Sequence, residues 1–297
     1  MKLSKIKANI DIARDGSFEA FGLLDSPTTL SILAFIGDAK FAKQIGENVT
    51  CIICPPSAAD KIPGHIGIIT SDNPKVLFFK LHNQLSQTPP LGKKQQKTII
   101  GKKCSIHKTA CIADSNVRIG NNVLIEEFVS IKENTTIGDN AIVRAGSIVG
   151  GMGFYYTKQS NGKLIPVEHF GGVVLEDDVE LQQSCHIDRA YFTWDNTVIG
   201  QGSKLDNMVH VAHAAKIGKN VLLTSCISIA GNVIVEDNTY IGPGSTVTNN
   251  VIIGENAKVS IGAVVARNVP GNTTVTGNFA VDHKLFLNDM KATYKRR

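Results

Sequence analysis

A repeat of six residues is the feature that most limits what this chain can fold into. Stepping by six from Leu175 passes Leu181, Ile187, Thr193, Ile199, Leu205, Val211, Ile217, Leu223, Ile229, Val235, Ile241, Val247, Ile253, Val259 and Val265, and fifteen of the sixteen are Leu, Ile or Val. With aliphatics at about a quarter of residues, chance gives such a run on the order of once in 10^8 trials. A second run in its own register holds Ile119, Ile125, Ile131, Ile137, Val143 and Val149, preceded by Ile100, Ile106 and Ile112. Val149 and Leu175 are 26 residues apart, which is not a multiple of six, so a segment loops out between the runs.

An α-helix does not keep one face apolar at a period of six. Short strands joined by corners do, each aliphatic pointing into a narrow prism whose coils stack by parallel pairing. Gly follows the aliphatic at Gly120, Gly138, Gly200, Gly218, Gly242 and Gly254, where a residue without Cβ makes a tight corner easiest.

With 42% hydrophobic and 19% charged residues over 297 positions, disorder, collagen and coiled coil are excluded. The net charge of +5 is spread along the chain, with a cluster only at the terminal Lys295, Arg296 and Arg297, which gives nucleic-acid binding little support. No stretch reaches the roughly 20 apolar residues of a membrane helix, and the N-terminus has no signal-peptide core. The expectation is a cytoplasmic protein with no integral membrane segment. The six cysteines sit in apolar or strand-like contexts and read as buried reduced thiols; Cys51 and Cys54 form the only CxxC, which alone is weak evidence for zinc.

The flanks lack the period. Residues 1–98 read as a small α/β domain, with strands in FEAFG, LSILAFI, VTCIICP and HIGIIT, a helix capped by Asp38, and a second opened by Asn73 and Pro74. SQTPPLGKKQQK reads as a linker to a β-helix over 99–277, and 278–297 as a short helical tail with a basic tip. The segment 150–172 is rich in Gly and aromatics and is expected to project from the prism; RAYFTWDN at 189–196 is a second excursion. Tyr155, Tyr156 and Trp194 frame a pocket from these excursions or pack at a subunit interface.

The hexads resemble those of the left-handed parallel β-helix acyltransferases, in which three hexads make one coil. Nine hexads before the loop and sixteen after it then give about eight coils. The resemblance implies a mainly β fold and a homotrimer with active sites between subunits. It sharpens at DNMVHVAH (206–213), after HIDRA (186–190), which looks like the general-base segment of UDP-3-O-acylglucosamine N-acyltransferases; the matching histidine is His213. FIGDAKF (35–41) resembles their nucleotide-base site, with Phe35, Asp38 and Phe41 on the pattern, although that family usually has Asn and Tyr at the last two positions. Where the family has a further histidine, the register here puts Asn250. The long C-terminal helices that dock acyl carrier protein there are missing. GAVVARNVPGNTTVTGNFA (262–280) looks more like acetyltransferases that use coenzyme A on nucleotide-linked amino sugars.

These features imply an N-acyltransferase that moves an acyl group from acyl-CoA to the amine of a dTDP- or UDP-linked sugar for a surface glycan. The alternative is the lipid A enzyme itself, with an acyl carrier protein donor. An attacking amine must shed its proton near neutral pH, and histidine has the matching pKa. His213, two residues past inward Val211, is placed at a corner as the base. Gly231, eighteen residues on, is a candidate oxyanion donor through its backbone N–H. His210, His186, Asp206 and Asn207 are candidates to contact the sugar or orient a histidine, and Lys258 and Arg267 to hold acyl-CoA phosphates. No metal is required. A zinc carbonic anhydrase would use His186, His210 and His213 but leaves the N-terminal domain unexplained; a scaffold or sugar-nucleotide-binding regulator is the non-catalytic alternative.

Overall fold

The computed structural model describes residues 1–277 and 280–294. From Ile99 to Val275 the chain winds a left-handed parallel β-helix of three faces with eight, nine and eight strands. The first face carries Ile119, Ile137, Leu175, Ile199 and Ile217; the second Ile125, Val143, Leu181, Leu205 and Leu223; the third Ile131, Val149, Ile187, Val211 and Ile229. Successive coils pair in parallel at a spacing of eighteen residues, as Val211 with Ile229, Ile229 with Val247 and Val247 with Val265.

The hexad aliphatics fill the prism. Leu175, Leu181, Ile187, Ile199, Leu205, Val211 and Ile229 are fully buried, each contributing roughly 1.5–3 kcal/mol over an exposed position. The first coil is the exception, with Ile100 46% exposed and Ile106 and Ile112 only partly buried, because no earlier coil covers them. A second inward position lies two residues before each aliphatic, held by Val123, Val129, Ala141, Val179, Val209, Ala215 and Val221. At Ser203 and Ser245 the hydroxyl donates to a carbonyl of the next coil, Ser203 Oγ to Gly218 O at 2.8 Å and Ser245 Oγ to Ser260 O at 3.0 Å. A buried polar group is thereby satisfied without leaving the prism, whereas Thr135 Oγ1 is buried without a partner.

The corners differ from expectation. Gly120, Gly138, Gly200 and Gly218 do not adopt positive φ. A Cβ on Gly200 would meet the Gly218 carbonyl oxygen at 2.4 Å, and one on Gly120 the Gly138 carbonyl carbon at 2.7 Å, so these glycines are small because coils touch there. The left-handed conformation falls two residues later, on 17 non-glycine residues of which ten are Asn, the side chain that best tolerates it. These asparagines stack into ladders, Asn122 to Asn140 at 3.2 Å and Asn116 to Asn134 at 3.3 Å. Thr193 is not an inward position: it lies in an excursion of one hexad's length between Ile187 and Ile199, so the second run has fifteen hexads around the prism. The eight coils stand.

The N-terminal domain is a sheet in the order β1-β5-β4-β3-β2, with β1 Asp11–Arg14 antiparallel to β5 Gly67–Thr70, and β2 Ala20–Phe21, β3 Ile32–Phe35 and β4 Val49–Cys54 parallel to their neighbours. β1 has no clear signal in the sequence. Helix α1, Pro74–Leu85, covers one face; Asn73 holds its N-cap position without a side-chain bond. Asp38 caps as expected, accepting from the Lys40 N–H at 2.9 Å, but the element it caps is a 3-10 helix, Ala39–Gln44. Strand alternation sends Cys51 and Cys54 to opposite faces of the sheet, so they form no joint ligand pair. Cys111 and Cys226 are exposed, contrary to the expectation of buried thiols. Helix α2, His283–Tyr294, is exposed through residue 292; the basic tip at 295–297 lies outside the described residues. No helix among them is long and apolar enough to cross a membrane.

The domain is clamped to the excursions. His82 of α1, fully buried, donates from Nε2 to the Glu168 carbonyl at 3.0 Å and accepts at Nδ1 from Ser86 Oγ. Asn83 binds the Pro166 carbonyl and the Glu168 N–H, and Trp194 Nε1 donates to the Phe21 carbonyl. Burial pushes the imidazoles of His82 and His169 down to about 4. The unfolded chain takes up protons at both below its ordinary value near 6.5, so the stability they help maintain is complete above about pH 6.5 and declines as pH falls toward 4. Thermal melts should show the midpoint dropping across that window. His82→Phe should flatten the drop and lower the midpoint at pH 7.5, where the Glu168 carbonyl loses its donor.

Candidate functional site

His213 stands where the chain turns from the third face to the first, beside Ala214 in left-handed conformation. Both excursions leave this same corner in the preceding coils, one between Val149 and Leu175 and the other between Ile187 and Ile199. They fold over the histidine. Tyr155 stacks on its ring at 5.9 Å and 23°, while Tyr191 and His169 meet it edge-on at 5.3 and 5.4 Å. Two glycines make the room. A Cβ on Gly231 would lie 2.2 Å from His213 Cε1, and one on Gly153 would lie 2.6 Å from His169 Nε2 and 3.3 Å from His213 Cβ.

This enclosure sets the electrostatics. Burial lowers the His213 pKa, and Asp188 works against the shift. Its Nδ1 is buried without a hydrogen bond, which leaves Nε2 as the nitrogen open to a ligand. Burial also pushes the Tyr191 hydroxyl up, away from ionisation. The result is a neutral imidazole in apolar surroundings with one free lone pair, the state a general base requires.

His186 and His210 are in register on the outer surface of the third face, and His210 Nε2 donates to Asp188 Oδ2 at 3.0 Å. Asp206 and Asn207 lie at the corner between the second and third faces, so one chain does not bring them to His213. There Asp206 accepts from the Asn207 N–H and Asn207 from the Gln183 N–H. Gly231 shares the His213 corner one coil on, and Arg267 follows two coils later, exposed. Lys258 is on the second face with its ammonium over the Tyr240 ring at 5.6 Å, separated from Arg267. Asn250 is a corner residue accepting from Asn232 at 3.2 Å.

In the N-terminal domain Phe35 packs on Phe78 and Phe79 beneath α1, whereas Phe41 packs with the core on the other face of the sheet, and the two rings do not touch. Phe79 meets Tyr155 at 5.4 Å, so ring contacts run unbroken from Phe35 to His213. Trp194 stacks on Phe192 and Tyr156 packs on Phe154, away from His213. His169, Tyr191 and Asp188 join the site without having been candidates from the sequence. Asp188 lies inside HIDRA, but no periodicity marks His169 or Tyr191. Among the described residues no group of three or more His, Cys, Asp or Glu side chains is arranged to hold a metal ion.

Residues 116–151 match the bacterial transferase hexapeptide (six repeats) family. The UDP-3-O-acylglucosamine N-acyltransferase of Helicobacter hepaticus is 33% identical over 251 residues, 73% of this chain and 72% of that protein. Its namesake from Coxiella burnetii is 28% identical over 232 residues, covering 67% of this chain and 65% of the relative, just under two thirds of it. The crystal structure of a UDP-N-acetylglucosamine acyltransferase from Bacteroides fragilis superposes with a TM-score of 0.50 at 18% identity, over 69% of this chain and 78% of that one, a likeness of fold. With a hexapeptide β-helix, an enclosed histidine and a 33% identical relative spanning nearly three quarters of its length, the chain belongs to the UDP-3-O-acylglucosamine N-acyltransferase family of hexapeptide-repeat acyltransferases.

Proposed function

We propose that the chain transfers an acyl group from a carrier thioester to the amine of a UDP-linked 3-O-acylglucosamine, with His213 as general base. The observation that carries this reading is the His213 enclosure, a neutral imidazole with its free nitrogen open at the corner where both excursions emerge. The relatives' name favours this acceptor over a dTDP-linked sugar. In the reaction the amine nitrogen attacks the thioester carbonyl and gives its proton to His213 Nε2. The oxyanion is held by the Gly231 N–H, the C–S bond breaks, and the imidazolium returns the proton to the departing thiolate.

The nucleotide base would lie beyond the end of β3, between Phe35 on one face of the sheet and Phe41 on the 3-10 helix that follows, with Asp38 fixing the turn between them. Acyl carrier protein is the donor this family implies. Arg267 lies three coils from His213 on one corner, about 14 Å at the spacing of paired strands. That suits the phosphate of a pantetheine arm, which acyl carrier protein and coenzyme A share. A homotrimer would bring the Asp206 and Asn207 corner of one subunit against the His213 corner of the next, with His186, His210 and Lys258 facing the groove.

A thiol-release assay with hydroxyacyl carrier protein and acyl-CoAs, against UDP- and dTDP-linked amino sugars, tests the reading. Turnover of UDP-3-O-acylglucosamine with the carrier protein supports it. Turnover confined to short acyl-CoA and a dTDP-amino sugar overturns it. His213→Ala should cut kcat by about 10^2 to 10^4 with KM nearly unchanged. Since the base must be neutral, kcat/KM should hold as pH falls below the ordinary histidine value near 6.5 and drop only beyond the lowered His213 pKa. Gly231→Ala should depress kcat comparably in a folded protein, because its Cβ displaces the imidazole; an Ala variant with full kcat would remove Gly231 from the site.

A further inference from the structure

We infer that His169 is a positioning residue that fixes the His213 tautomer through one bridging water. The first excursion is a hairpin, Tyr156–Lys158 antiparallel to Leu164–Pro166, and His169 sits at its base, 2% exposed. Its Nδ1 lies 2.8 Å from the Val167 carbonyl. A carbonyl oxygen only accepts, so Nδ1 carries the proton and Nε2 presents a bare lone pair. That Nε2 is buried and makes no hydrogen bond, and the same is true of His213 Nδ1, with the ring centroids 5.4 Å apart. Two orphaned nitrogens in one enclosed spot are a strong departure from the rule that buried polar atoms are paired.

Gly153 lets the backbone pass close to both rings: a Cβ there would lie 2.6 Å from His169 Nε2 and 3.3 Å from His213 Cβ. A water between the two orphaned nitrogens accepts from His213 Nδ1–H and donates to His169 Nε2. His213 is then held with its proton on Nδ1 and its lone pair on Nε2, toward the amine, and the imidazolium formed during the reaction keeps its Nδ1–H partner. The relay Val167 carbonyl, His169, water, His213 does with neutral groups what a carboxylate does for a catalytic histidine elsewhere. Other titratable or charged groups around His213 are Tyr155 from the hairpin, Tyr191 and Asp195 from the second excursion, and Asp188 and His210 from the third face. The Asp188 carboxylate is occupied by His210.

This inference rests on His213 being the base, and the experiment separates the two. Kinetics with UDP-3-O-acylglucosamine and hydroxyacyl carrier protein are compared for wild type, His169→Leu, His169→Gln and His213→Ala. His169→Leu should lower kcat about tenfold or more, leave KM in place and move the acid limb of kcat/KM to lower pH, because the imidazolium loses its partner. His169→Gln should recover most of kcat, since its Oε1 accepts where Nε2 did. In 15N-labelled wild-type protein, His213 should carry its proton on Nδ1. Wild-type kcat and pH profile in His169→Leu, a His213 proton on Nε2, or a Gln variant no better than Leu would overturn the relay. Full activity in His213→Ala would instead overturn the base assignment itself. Should His169→Leu fail to fold, the 15N measurement and His169→Gln still decide.

Discussion

Backbone hydrogen bonding between stacked coils of eighteen residues is what the rest of this molecule depends on. Strand N–H groups of one coil donate to carbonyls of the next, as Ala212 to Ile229 and Ala230 to Val247, and corner N–H groups donate back, as Asn232 to His213. That register holds only if every coil has the same perimeter, so each hexad must deliver one aliphatic inward and turn one corner. Asparagine ladders and touching glycines result from it, the first because the corner needs a left-handed residue and the second because stacked corners leave no space for Cβ. A continuous column of β-branched and leucine side chains then closes the core without any long-range packing puzzle.

The His213 corner departs from that uniformity. Its coil is regular, and His213 takes its place two residues past Val211 like any other corner residue. What makes it chemically different is imported: Tyr155 and His169 come from the first excursion, Tyr191 from the second, and the buried cluster beneath them continues into α1 through Phe79, Phe78 and Val167. The N-terminal domain therefore shapes the His213 corner. By holding Glu168 and Pro166 through His82 and Asn83, it fixes the excursion that encloses His213.

The inward aliphatics and the corner position of His213 are legible in the sequence because periodicity announces them. Phe35, Asp38 and Phe41 are singled out in the sequence by spacing alone; the structure uses the Asp38 carboxylate as a helix cap and packs the two rings on opposite faces of the sheet. The smaller inward positions such as Val209 and Ala215 are hidden, since Val, Ala, Ser and Thr share them. His169 and Tyr191 are illegible for a physical reason: an excursion obeys no period, and what its residues touch depends on how the loop folds back across dozens of positions. Thr193 falls on the hexad count only because the second excursion is one hexad long.

That coincidence of length has an evolutionary side. The insertions between Val149 and Leu175 and between Ile187 and Ile199 enter and leave at a single corner. The strands on the next face stay in parallel register across both, Ile137 with Leu175 and Leu175 with Ile199, as though no chain had been added. Residues can thus be gained or lost at this one vertex without disturbing the scaffold. Loop length at this vertex is thereby uncoupled from the coils, and the coil that carries His213 stays in step with its neighbours whatever the excursions add.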